Sequence, residues 1–561
     1  MFLPQVSSEE IKEKFHDKIK KIKDEELEKY TNEKASVLGL QYIDLIQFPI
    51  SPDAISVIEE EQAIQTGVVC FFYNREEFRI GFYNENNFDQ VNELLKKLKM
   101  KLRANGELYF ISENSFLKAL KVYKAIPKIK KPSLGVKISG EDISRFKEDV
   151  NDFRKLEDKI KDVSLTDLMT LIIASALQAR SSDIHIEAEE QDVKVRFRID
   201  GILHDTAGIE KEKWPKLIAR IKLISKLKLN IENKPQDGRF TIFLTEGNID
   251  VRVSTLPTAF GESVVMRLLT SGAQGLTFKK LGLRKKAFND LSREIKKPNG
   301  MIITTGPTGS GKTTTLYSCV KELNSPDIKI ITLEDPIEYK LSGINQSQID
   351  AAKGYTFAKG LRSILRQDPD VVMVGEIRDD ETADIAINAA LTGHLVISTI
   401  HTNSASGAIP RFLALNAKPY LLTPALNVII GQRLIRRICT HCKKECEISE
   451  DEKEEVKKAL AEIPKNSEES IPCDFIANLK FYKGEGCEKC QNLGYMGRIG
   501  IYEVMVVDEE IKLCILEAKD ISEYNIQKIA QKNGMITMRQ DGILKAMEGI
   551  TSLEEVFRAT K

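Results

Sequence analysis

The spacing of apolar residues changes several times along the chain, and each change marks a different kind of element. Between about residues 7 and 35, Ile11, Phe15, Ile19 and Ile22 recur at helical spacing among lysines and glutamates. That pattern predicts an amphipathic helix with a solvated outer face. Residues 35–123 alternate strand-like runs (67–73, 78–83) with helical patterns such as 91–101, which predicts a small α/β domain. Residues 127–134 read Pro-Lys-Ile-Lys-Lys-Pro-Ser-Leu, a linker composition. A helix is expected from Ser164, with Asp167 three residues on as a capping partner, to about Arg180. Strands at 184–188, 193–199, 239–244 and 251–254, with a lysine-rich helix at 214–227, make a second α/β domain. After Gly275, apolar runs at 300–304, 328–333, 371–374 and 395–399 are separated by helical segments. Strands alternating with helices imply a parallel sheet covered on both faces. The last 50 residues read as helical, with stops at Gly534 and Gly549. The expected fold class is multidomain α/β. Its parts are residues 1–126, a linker 127–161, a second domain 162–272, a core 273–436, a cysteine-bearing lobe 437–498 and a helical end 499–561.

A length of 561 residues suits this division into several domains. Lys and Arg number 83, as do Asp and Glu, so the net charge is zero. Such a chain has no field with which to hold a polyanion, and nucleic acid is not expected as a partner. The N-terminus has neither a basic n-region nor an apolar h-region, and no run of about 18 apolar residues occurs. The expected location is cytoplasmic. Nine cysteines in a reducing compartment argue against a disulfide framework.

The strongest chemical signal is Gly306-Pro307-Thr308-Gly309-Ser310-Gly311-Lys312-Thr313, a full match to G-x-x-x-x-G-K-[ST]. It follows an apolar strand and precedes a plausible helix, the context this motif requires. The glycines let backbone N–H groups turn toward phosphates, and the helix N-terminus adds partial positive charge. Lys312 is expected on the β- and γ-phosphates of ATP and Thr313 on Mg²⁺, with Thr314 beside them in the nucleotide site.

Asp370 to Glu376 is an apolar strand ending in a carboxylate, Glu376. A second acidic cluster, Glu334-Asp335-Pro336-Ile337-Glu338, follows another strand. Open α/β sheets bind ligands at the carboxyl ends of their strands, so both clusters can converge on the γ-phosphate. His394 and His401 flank the strand at 395–399, and either can meet phosphate or acid. Arg362 and Arg366, spaced i, i+4, share a helix face and read first as surface ion pairs. Arg252 and Arg267 end strand-like runs of the preceding domain; arginines from outside a core often neutralise transition-state charge. Cys439-Thr-His-Cys442 and Cys487-Glu-Lys-Cys490 are knuckles of the form that holds tetrahedral Zn²⁺, with Cys446 and His441 as spare ligands.

Taken together these segments resemble the type II secretion and type IV pilus assembly ATPases. The resemblance runs from about Ser164 to Thr560. In the second domain it rests on Ser182-Asp-Ile-His-Ile-Glu187, Arg196-Phe-Arg-Ile-Asp-Gly201, Pro235-Gln-Asp-Gly-Arg239, 251–257 and 261–268. In the core it rests on the phosphate loop, 334–338, 366–379, 392–401 and Gln432-Arg-Leu-Ile-Arg436. The resemblance implies a RecA-like core, a preceding PAS-like α/β domain, a zinc insertion and a small N-terminal domain. It implies that Lys312, Glu376, Glu334, His401, Arg252 and Arg267 serve catalysis, with the choice of base between the two glutamates open. It implies one structural Zn²⁺ on Cys439, Cys442, Cys487 and Cys490, a mark of assembly rather than retraction members. It further implies a homo-hexamer on the cytoplasmic face of a polytopic inner-membrane platform protein. The N-terminal domain would dock on the cytoplasmic domain of a membrane assembly protein. The Arg-Leu-Gly helical module that opens many relatives is missing here. A nucleic-acid motor built on the same core is the alternative, opposed by the neutral charge and the 7% aromatic content. A scaffold that only binds nucleotide is opposed by the intact Lys312, Thr313 and Glu376.

Overall fold

The computed structural model describes residues 8–46, 48–74, 76–102, 104–125, 135–137, 156–160, 165–244, 247–269, 277–469, 480–517 and 520–561. The stretch 127–134 and the expected helix start at Ser164 lie outside them. The chain divides into two compact units, Met1–Ser133 and Leu134–Lys561.

In the first unit the helix Ser8–Val37 spans the amphipathic stretch. Strands β1 (Gln41–Tyr42), β2 (Val68–Tyr73), β3 (Glu77–Phe82) and β4 (Asn105–Phe110) form a sheet of order β1-β4-β3-β2. The β2–β3 turn is fixed by Asn74, whose Oδ1 accepts from the backbone of Glu76 and Glu77. Phe78, Ile80 and Phe82 alternate along β3 and bury against Val91, Leu94 and Leu98, the apolar stripe of helix Phe88–Leu102.

The second unit opens with a seven-stranded sheet. Its strands are β5 (Gly135–Lys137), β6 (Ser181–Ala188), β7 (Asp192–Ile199), β8 (Ile202–Glu210), β9 (Gln236–Leu244), β10 (Gly247–Thr258) and β11 (Gly261–Leu269), in the order β5-β9-β10-β11-β6-β7-β8. β5 lies in the stretch read as linker and pairs with β9 as a parallel edge strand. One face of the sheet is apolar: Ile184, Val195, Phe197, Val253 and Met266 pack under helices Leu165–Gln178 and Trp214–Ile224. The other face carries a row of charges in cross-strand register, Arg239–Arg252–Arg267–Asp183–Arg198.

A second seven-stranded sheet forms the core. β12 (Gly300–Thr305), β13 (Ile330–Glu334), β14 (Asn345–Gln348), β15 (Val371–Val374), β16 (Leu395–Ile400) and β17 (Leu426–Ile438) run parallel. Every residue of β12, β13, β15 and β16 is buried, as expected of parallel strands covered on both faces. The chain then leaves through a short hairpin, β18 (Lys443–Cys446) and β19 (Phe481–Gly484), and returns as β20 (Tyr495–Val506), antiparallel to β17. The full order is β14-β13-β15-β16-β12-β17-β20. Residues 499–506, read from sequence as the start of the helical end, are therefore strand. Ile499 to Met505 are buried without a break, and an apolar run buried on both sides shows no strand period.

The last helix, Leu553–Thr560, is clasped to β17 by Glu555, which is fully buried. The carboxylate accepts from Arg436 N at 3.0 Å, Arg436 Nη2 at 2.7 Å and Arg558 Nη2 at 2.7 Å. Burial alone raises its pKa, but these donors outweigh burial and bring it to about 2, below the ordinary 4.5. A depressed carboxyl stabilises the fold fully above pH 4.5 and loses that contribution as pH falls toward 2. Glu555→Gln should therefore lower the unfolding midpoint at neutral pH. Its acid-unfolding curve should converge with that of the wild type near pH 2; parallel curves across that range would contradict the clasp.

Candidate active site

The loop after β12 turns on glycines. Gly306, Gly309 and Gly311 have φ of 144°, 80° and 89°, values that L side chains adopt only with strain. Helix Lys312–Leu323 starts immediately after Gly311. Pro307, Thr308, Gly309 and Thr313 are exposed, and Ser310 is buried beneath them. The Lys312 ammonium donates to Gly306 O at 2.7 Å and Pro307 O at 3.0 Å. Burial lowers its pKa, Glu376 pulls the other way, and the charge of Arg433 lowers it further.

Lys312, Thr313, Glu334, Glu376 and His401 line one cleft at the carboxyl ends of the core strands. Glu334 ends β13 and is 3% exposed. Its Oε1 accepts from Thr332 Oγ1 at 2.5 Å and Gln346 Nε2 at 3.1 Å, and its Oε2 accepts from Tyr317. Tyr317 stands four residues after Thr313, on the same helix face, a spacing that could have revealed it. Gln346, on β14, gave no local signal. Glu376 follows β15 and pairs with Arg378 and with His401 Nε2 at 3.2 Å. Thr399 Oγ1 donates to Gly375 O at 3.0 Å and holds the backbone just before it.

The two histidines separate. His401 follows β16 and enters the cleft. His394 precedes that strand, at the opposite end of the sheet, where its Nδ1 lies 3.1 Å from Ala389 O. Arg362 pairs with Glu381 at 2.7 Å and Arg366 donates to Ser363 Oγ at 3.2 Å, both on the surface of this chain. Arg252 reaches the acidic segment after β13. Its Nη2 donates to Ile337 O at 2.7 Å, and its Nη1 lies 3.0 Å from Glu338 Oε2. Arg267 Nε binds Asp183 Oδ1 at 2.8 Å. Burial would raise the Asp183 carboxyl, but Arg267, Ser182 and Arg198 bring it below its ordinary range. Arg239, directly opposite Arg252 in the ladder, was not singled out from sequence.

The cysteine knuckles meet although 44 residues separate them in sequence. The pairing of β18 with β19 brings Cys442 and Cys487 to the same end of the hairpin, while helix Glu450–Ala461 lies within the excursion. The ligand atoms of Cys439, Cys442, Cys487 and Cys490 all lie within 4.8 Å of one another. Three sulfur separations are 3.8, 3.8 and 3.7 Å. Sulfurs about 2.3 Å from a tetrahedral Zn²⁺ stand about 3.8 Å apart, so the donor set fits that ion and no disulfide. Backbone N–H groups of Cys487 and Gly494 reach Cys490 Sγ at 3.2 and 3.3 Å. His441 and Cys446 stand outside the cluster.

A phosphate loop at the carboxyl end of a parallel sheet, facing two glutamates on neighbouring strands, defines a RecA-like P-loop ATPase. Residues 158–558 match the family described as Type II/IV secretion system protein, and the chain belongs to that family. It is 38% identical over 525 residues to the Type IV pilus assembly ATPase PilB of Myxococcus xanthus, covering 93% of this chain and 89% of that one. It is 42% identical over 420 residues to the Type II secretion system protein E of Aeromonas hydrophila, covering 75% and 80%. The X-ray structure of the Legionella pneumophila ATPase DotB shares the fold, with a TM-score of 0.50 and 21% identity over 70% of this chain and 95% of that one.

The sulfur geometry gives a direct test. Metal analysis of the purified protein should find one Zn²⁺ per chain. Cys487→Ser with Cys490→Ser should remove it and leave nucleotide binding in place. Zinc retained by that double variant would rule the site out.

Proposed function

We propose that this chain is a Mg²⁺-dependent motor ATPase that drives assembly of type IV pilus or type II secretion pseudopilus subunits. The observation that carries the reading is the convergence of Lys312, Thr313, Glu334 and Glu376 in one cleft beside the phosphate loop. The loop N–H groups and Lys312 hold the phosphates, and Thr313 would hold Mg²⁺. That ion, when bound, neutralises charge developing on the β- and γ-oxygens. Water attacks the γ-phosphorus, the bond to the β–γ bridging oxygen breaks, and a water proton passes to a carboxylate. Glu376 suits that role better than Glu334. Both oxygens of Glu334 are taken by fixed donors, whereas the partners of Glu376, Arg378 and His401, have side chains 64% and 50% exposed and are free to swing away. Glu334, held by Tyr317, Thr332 and Gln346, would instead present a fixed negative charge toward the place where Thr313 would hold Mg²⁺.

The assembly is read as a homo-hexamer in which Arg252 and Arg267 add positive charge at the nucleotide. The ring works at the cytoplasmic face of the inner membrane, on a polytopic platform protein, with the first unit docking a membrane assembly protein. Among the described residues no helix is long and apolar enough to cross a membrane, which suits a peripheral position. The cysteine cluster holds a structural Zn²⁺. Its four thiolates close the coordination sphere and leave no position for reacting water.

Lys312→Ala should abolish ATP hydrolysis in a folded protein, whereas Glu376→Gln should keep nucleotide binding and slow turnover about 100-fold or more. Near wild-type hydrolysis by Lys312→Ala would refute the reading. Loss of binding with Glu376→Gln would make that residue structural instead. Substituting Arg252 or Arg267 should lower ATPase activity without lowering the nucleotide affinity of the isolated chain. An active monomer by light scattering would exclude the ring.

A further inference from the structure

Gln432 lies on β17 one residue beyond the ladder to β12, whose last pair is Thr305 with Gly431. It is 1% exposed. Its Nε2 donates to Ser310 O at 2.8 Å. Its backbone carbonyl oxygen stands 2.5 Å from where a Cβ on Gly306 would be, and its Nε2 stands 3.2 Å from where a Cβ on Gly311 would be. One buried side chain and its own carbonyl thus touch the first, fifth and sixth positions of the phosphate loop. Its Oε1 has no partner among the described residues, so the amide acts here only as a donor.

The consequence follows from peptide planarity. The carbonyl of Ser310 and the N–H of Gly311 belong to one planar trans unit and point in opposite directions. A donor that captures the carbonyl on the β17 side therefore turns the Gly311 N–H away from β17. If that peptide flipped, a carbonyl oxygen would take the place of an N–H donor on the loop's other side and repel a phosphate. Ser310 is itself 3% exposed, so its carbonyl has little water to turn to and depends on this donor.

We propose that Gln432 is a positioning residue for nucleotide binding, holding the Ser310–Gly311 peptide so that its N–H faces the phosphates. The proposal rests on reading the loop as a nucleotide site. Its role is confined to loop geometry, so ATP and ADP are affected alike.

The test uses the full chain with ADP and ATP as probes, across pH 5 to 8. Gln432→Leu keeps the bulk and loses the donor. It should weaken both nucleotides about tenfold or more, with a smaller change in kcat than in KM. Gln432→Glu should be the weaker binder at pH 8, where its carboxylate repels both the Ser310 carbonyl and the phosphates. It should recover affinity relative to wild type as pH falls, because a protonated carboxyl donates again. Wild-type ADP affinity in Gln432→Leu would overturn the proposal. So would a pH profile of Gln432→Glu parallel to wild type, and that series decides the matter if the leucine variant does not fold. A wild-type chain that bound no ADP would instead defeat the nucleotide reading itself.

Discussion

The pairing of β12 on both edges, with β16 on one side and β17 on the other, is the constraint on which the rest of the structure depends. A central parallel strand has all its backbone groups satisfied by neighbours and its side chains buried on both faces. Its side chains are committed to the interior on both faces, so the candidate site gathers where the strands end. Four successive parallel strands deliver their groups there. β12 gives the loop, β13 gives Glu334, β15 gives Glu376 and β16 gives His401. β17 comes up on the far edge and supports the loop from beneath. Misplacing any one of these strands by a residue would turn its delivered side chain to the opposite face.

β17 also ties the core to the cysteine lobe, since Cys439 follows directly on its last residue. Among the described residues the lobe has little of its own to hold it. β18 and β19 are four residues each, and helix Glu450–Ala461 buries only Val456 and Leu460. A two-stranded hairpin of that size is marginal in water. Phe481 and the helix Met538–Met547 give it an apolar seat, and the four gathered thiols supply the means of a cross-link.

What could be read from the sequence was what is local. The phosphate loop was legible because its glycines, lysine and flanking strand are contiguous, and the apolar runs at 300–304, 328–333, 371–374 and 395–399 stood out by composition. β17 and β20 did not, because glycines and charged residues such as Gly431, Arg433, Gly500 and Glu503 break up their apolar runs. The partners of Glu334 come from three elements: Thr332, two residues earlier on the same strand, and Tyr317, on the helix face of Thr313, have spacings that point to them, and Gln346 has none. Arg252 meets Glu338 across 86 positions, a contact no local pattern contains. The two histidines were distinguishable in principle. In a parallel sheet the ligand end is the carboxyl end, so the residue after the strand faces the site and the one before it does not.

The arginine row on the second domain has one further consequence. Arg239, Arg252 and Arg267 stand directly opposite one another, and like charges so placed repel. Asp183 relieves one end of the row, and Glu338, borrowed from the core, relieves the middle. Arg252 is thus already neutralised, by the Glu338 carboxylate and the Ile337 carbonyl. An anion arriving at this seam would have to displace that carboxylate and carbonyl from Arg252. Binding there would gain only the difference between the incoming ion pair and the one it replaces.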